Sequence, residues 1–111
     1  MNLNSVLIGS EDPKPLVDYY TKLFGAPSGS EGGYTWWQLG TGGFTVSQHS
    51  EVKGKNPHPG RVIWNLETAD VKGDFEKLKA AGARVIQAAG LIRTVTPRAR
   101  SERSGCAWSV A

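Results

Sequence analysis

Residues 12–25, DPKPLVDYYTKLFG, decide the fold of this chain. Asp12 brings a carboxylate that can cap the free N–H groups of a first helical turn. Pro13 then takes the first helical position, where its missing N–H costs nothing. Leu16, Tyr20, Leu23 and Phe24 recur at helical spacing and make one apolar face, and Gly25 ends the helix as a left-handed cap. Working outward, LNSVLIG (3–9) reads as an aliphatic strand before this helix, and APSGSEGG (26–33) as a loop or ragged strand after it. YTWWQL (34–39) and FTVSQH (44–49) flank Gly40-Thr41-Gly42-Gly43 and predict a β-hairpin with a glycine turn.

The polar stretch SEVKGKNPHPG (50–60) reads as a surface connection. Beyond it the design repeats. RVIWNLE (61–67) alternates as a half-buried strand, with Val62, Trp64 and Leu66 on one face and Arg61, Ile63, Asn65 and Glu67 on the other. Asp70 caps a second helix with Val71, Phe75 and Leu78 as its stripe, Gly82 closes it, and ARVIQ (83–87) predicts a further strand. The order is that of a repeated βαβββ unit, so the expected class is α+β: a cupped mixed sheet with helices on its convex face and a second module left incomplete.

A length of 111 residues suits one domain with one core. The net charge of +3 is local. Residues 1–89 hold nine Lys/Arg and nine Asp/Glu, and all the excess comes from Arg93, Arg98, Arg100 and Arg103 against Glu102. A nucleic-acid face needs a basic cluster on folded structure, so nucleic acid is not an expected partner. No apolar run approaches the roughly 20 residues of a membrane span, and no secretory signal opens the chain; a cytoplasmic location is the default expectation. Cys106, the single cysteine, allows neither an internal disulfide nor a thiolate cluster. The composition turns abruptly after Ala89: lysine, present seven times before it, vanishes, and four of the six arginines follow. Residues 90–111 therefore read as a divergent Arg-rich segment, of the composition an out-of-frame or otherwise replaced C-terminus would have, and residues 1–89 as the domain proper.

Asn4-Ser5-Val6-Leu7-Ile8, Asp12, Leu16, Tyr19-Tyr20 and Leu23-Phe24-Gly25 resemble the opening strand and helix of the vicinal oxygen chelate superfamily, which includes glyoxalases, bleomycin-resistance proteins and extradiol dioxygenases. Gly60 to Leu66, Asp70-Val71, Phe75, Leu78 and Ala81-Gly82-Ala83 resemble its second-half strand and helix. The resemblance spans roughly residues 3–89 and implies paired βαβββ modules, usually in a homodimer. Metal-dependent members place histidines where Ser5 and Arg61 stand here. Serine is a poor ligand for a transition metal, and arginine has no lone pair to give. Gln48 or His49 could fill a third ligand position, but the carboxylate segment of the final strand has no counterpart. These departures from the family pattern lead to the expectation of no metal and no other cofactor.

The resemblance also implies that Ser5 and Arg61 point into the cup. Strand alternation then adds Asn65, Tyr34, Trp36, Gln38, Thr45, Ser47 and His49; a slip of one residue would exchange the two faces. Arg61 suits a planar anionic or carbonyl-bearing ligand, or else an ion pair with Glu67 or Glu51. His49 is the candidate general base near neutral pH, against a solvated histidine at a strand end. His58 is expected exposed and Trp64 in the core. Three functions stay open. The first is a metal-independent binder that holds an aromatic or carbonyl-bearing compound in the cup. The second is a metal-dependent glyoxalase-like lyase, isomerase or dioxygenase, and the third is an inactive relic of the fold. No motif decides whether a reaction is catalysed.

Overall fold

The computed structural model describes residues 1–58 and 61–84 and, as backbone, 105–108. It divides into two units, Met1–Lys55 and Asn56–Ala111.

The first unit is a βαβββ module: β1 (Val6–Ser10), α1 (Pro13–Phe24), β2 (Gly29–Glu31), β3 (Tyr34–Leu39) and β4 (Gly42–Gln48). Its four strands lie in the order β1-β4-β3-β2. β1 runs parallel to β4, with Val6 beside Phe44 and Ile8 beside Val46, and the other pairs are antiparallel. A parallel pair needs a long crossover, which α1 and the short β2 provide. Asp12 caps α1 by accepting from the Lys14 N–H, and Gly25, at φ 85°, donates its N–H to the Thr21 carbonyl. The hairpin closes on Gly40-Thr41, with Leu39 opposite Gly42 and Gly40 at φ 59°, a conformation that glycine adopts without strain.

The core is aromatic and lies between α1 and the sheet. Tyr20, Leu23, Trp37, Phe44 and Val46 are all at most 5% exposed. Tyr20 meets Phe44 edge-on at 4.9 Å and Trp37 stacks on Phe44 at 5.1 Å, measured between ring centroids. The indole N–H of Trp37 donates to the Gly25 carbonyl at 3.0 Å, so the end of the helix is tied to the middle of β3. Burial pushes the Tyr20 phenol up to about 12, with the neighbouring Tyr19 adding to the shift.

The second unit contains β5 (Trp64–Glu67), α2 (Val71–Ala80) and β6 (Gly105–Trp108). β5 pairs antiparallel with β6, so the segment read as divergent supplies a strand. Asp70 caps α2 through the Gly73 N–H at 2.9 Å. At the other end the Ala83 N–H reaches the Leu78 carbonyl and the Gly82 N–H the Lys79 carbonyl, with Gly82 at φ 110°: a Schellman closure.

The structure corrects two strand limits. The ladder of β5 begins at Trp64, and Arg61 sits before it in a turn, its N–H donating to the His58 carbonyl at 3.1 Å. Only Trp64 to Glu67 have partners on β6, and Val62 and Ile63 stay 59% and 55% exposed. β1 likewise begins at Val6 and leaves Ser5 outside. The strand expected over 83–87 falls largely on residues outside those described, as does most of 90–111. No described helix is long and apolar enough to cross a membrane. The fold class is α+β, with a complete first module and a partial second one.

Candidate ligand-binding face

Register fixes which side of the first sheet each residue takes. Trp37 pairs with Phe44 and Thr35 with Val46, and these belong to the side under α1. The intervening residues therefore face away from the helix: Leu7 and Gly9 on β1, Thr45 and Ser47 on β4, Tyr34, Trp36 and Gln38 on β3, Gly29 and Glu31 on β2. The alternation expected from the sequence holds for all three hairpin residues and for Thr45 and Ser47. It holds because only one parity buries Trp37, Phe44 and Val46 together.

Trp36 occupies a defined place. Its cross-strand partner is Gly29, and a Cβ built on Gly29 would lie 2.2 Å from Cζ2 and 2.6 Å from Cε2 of the indole. The ring thus lies flat across the β2 backbone, which only glycine allows. The row Leu7–Thr45–Trp36–Gly29 crosses the whole sheet. Tyr34 is 50% and Leu7 52% exposed, so apolar surface is open to solvent at both ends of this face. Between them stand two hydroxyls. Ser47 is 5% exposed, and its Oγ–H makes only a long 3.4 Å bond to the Gln48 carbonyl. The strand residues of this face include one carboxylate, Glu31, and no lysine or arginine.

The other expected residues are placed differently. Gln38 folds its amide back on the hairpin, with Nε2 donating to the Gly40 carbonyl at 3.0 Å, so it braces the turn instead of reaching over the sheet. His49 lies one residue beyond β4. Its N–H closes on the Ser10 carbonyl at 3.0 Å and its Nδ1 accepts from the Glu51 N–H at 3.3 Å. The lone pair that a general base would use at Nδ1 is thereby engaged by the turn. The His49 side chain is nonetheless on the correct side of the sheet, since a Cβ on Gly9 would meet its Cβ at 2.8 Å. Ser5 is exposed ahead of β1. Arg61 and Asn65, both exposed, belong to the second unit, Arg61 in its turn and Asn65 on β5. Among the described residues, no three His, Cys, Asp or Glu side chains are grouped closely enough to hold a metal ion. Sequence reasoning missed Gly29, Gly9, Leu7 and Val52. The one signal for Gly29 was a glycine in a stretch too polar to show strand alternation.

No family model matches the sequence, and no curated protein matches it. A solved structure described as a "conserved domain protein" superposes with a TM-score of 0.62 at 17% identity, covering 84% of this chain and 81% of that one. At that identity the likeness is one of fold, and it supports the α+β architecture described above.

Proposed function

We propose that this chain is a metal-independent small-molecule-binding protein of the glyoxalase/bleomycin-resistance type, acting in the cytoplasm as a homodimer. Its ligand is a neutral aromatic or carbonyl-bearing compound held on the helix-free face of the first sheet. The observation that carries this reading is Trp36 laid flat across Gly29 beside the half-exposed Tyr34. An indole fixed in this way presents one π-face to the open side of the sheet without losing side-chain freedom on binding. The Thr45 hydroxyl stands in the same row and can donate to a carbonyl there, and apolar lining with a few directing polar groups is the usual composition of such sites. Charge favours a neutral ligand, because Glu31 would repel an anion and the strand residues of this face include no lysine or arginine. Metal independence rests on the donor set, since Ser5 and Arg61 stand where ligands would be needed.

The test is a tryptophan-fluorescence titration with 2-acetylnaphthalene, with and without a chelator. Saturable quenching that the chelator leaves unchanged and Trp36→Phe weakens at least tenfold is expected. Quenching that survives Trp36→Phe at full strength, or that needs a divalent ion, would overturn the reading.

A further inference from the structure

The end of the helix-free face at Gly9 is covered by the segment that follows β4. The His49 N–H bonds to the Ser10 carbonyl, the Val52 N–H turns back to the His49 carbonyl at 3.1 Å, and Val52 Cγ2 lies 3.2 Å from where a Gly9 Cβ would stand. Gly9 pairs with Ser47, which is 5% exposed although α1 packs on the other side of the sheet. The far end of the segment is fastened by one residue. Glu11 Oε2 accepts the Gly54 N–H at 2.9 Å, its Oε1 lies 3.8 Å from Lys53 Nζ, and its carbonyl accepts from Gln48 Nε2 at 3.4 Å. Gly54 at φ 63° completes the turn that brings its N–H to the carboxylate.

We infer that residues 49–54 form a latched strap over the Gly9–Ser47 end of the face, with the Glu11 carboxylate as the latch. Helix capping does not explain this geometry, since Asp12 caps α1 and the Glu11 side chain turns to the strap instead. The latch is solvent-facing, with the Glu11 and Lys53 side chains 51% and 71% exposed. Exposed pairs of this kind are weak and screened by salt, so the strap opens without unfolding the sheet. When open it uncovers Ser47, two residues along β4 from Thr45 on the same face. For its meaning to a ligand the inference rests on the function proposed above, but its test needs no ligand.

The test is thiol labelling of Ser47→Cys with 5,5′-dithiobis(2-nitrobenzoate) in a Cys106→Ser background, with Val46→Cys as the control beneath α1. Removing the latch with Glu11→Ala should speed labelling at position 47 about fivefold, the upper end of what an exposed charged pair contributes, and leave position 46 unchanged. Glu11→Gln, which keeps an acceptor and loses the charge, should fall between the two. Raising the salt concentration should speed labelling only while Glu11 is present. Labelling at position 47 indifferent to Glu11→Ala, or an equal acceleration at position 46, would overturn the inference. Failure of 2-acetylnaphthalene to bind would leave it standing.

Discussion

Both units begin with a strand and an Asp-capped helix that ends at a glycine, yet among the described residues only the first has fully buried side chains. In Met1–Lys55 the hairpin β3–β4 brings Trp37, Phe44 and Val46 under Tyr20 and Leu23. In Asn56–Ala111 no described side chain is fully buried, and the stripe Val71, Phe75 and Leu78 stays partly exposed. An amphipathic helix is only half of a core. What fills the interior is the aromatic pairs that the adjoining strands contribute, and the first hairpin holds two tryptophans and a phenylalanine where the second unit's described ladder is four residues wide.

The largest expected effect follows directly. Phe44→Ala should cost about 3–5 kcal/mol, as other buried phenylalanine truncations do, whereas Phe75→Ala on the half-exposed stripe should cost about 1–2 kcal/mol. Urea unfolding of both variants measures this, and equal costs would break the comparison.

Alkaline pH gives the next effect. The Tyr20 phenol ionises near pH 10 when unfolded and near 12 when folded, so above pH 10 the unfolded chain releases a proton that the folded one keeps. The stabilisation is intact below pH 10 and is lost as pH rises towards 12, by about 2–3 kcal/mol in the limit. Unfolding curves taken from pH 9 to 12 should show this fall in the wild type and a shallower one in Tyr20→Phe.

The smallest effects probe α2. Asp70→Ala should cost about 1 kcal/mol through loss of the cap. Gly73→Ala would ordinarily gain about as much in helix propensity, but its Cβ would come within 2.7 Å of the Asp70 carboxylate carbon and displace the cap, so the single substitution should be close to neutral. In the Asp70→Ala background the same Gly73→Ala should stabilise by roughly 1 kcal/mol. Simple additivity of the two in thermal unfolding would contradict the cap geometry.

Where a signal was local, the sequence carried it. Asp12-Pro13 and Gly25 mark α1 because capping chemistry is written in the residues themselves. The alternation of residues 34–39 and 44–48 set the sheet parity, because the wrong parity would have put Trp37 and Phe44 in water. Signals that depend on a partner did not carry. Gly29–Glu31 has no apolar alternation and is a strand only because β3 offers it an edge. Arg61 to Ile63 alternate well, yet the described ladder begins at Trp64. The site was legible in part for the same reason. Tyr34, Trp36 and Ser47 follow from parity, but Gln38 and His49 are committed to turns that alternation cannot foresee. Gly29 and Glu11 act through residues distant in sequence.

The most direct test of the central claim is a ¹⁵N–¹H spectrum of the full chain titrated with 2-acetylnaphthalene. Binding on the helix-free face predicts shifts concentrated at the Trp36 indole N–H and at the amides of Leu7, Thr45 and Ser47. The Trp37 indole N–H, bonded to Gly25 on the other side of the same sheet, should stay in place. Shifts centred on Trp37 and α1, or no shift at any of these groups up to the solubility limit of the probe, would contradict it.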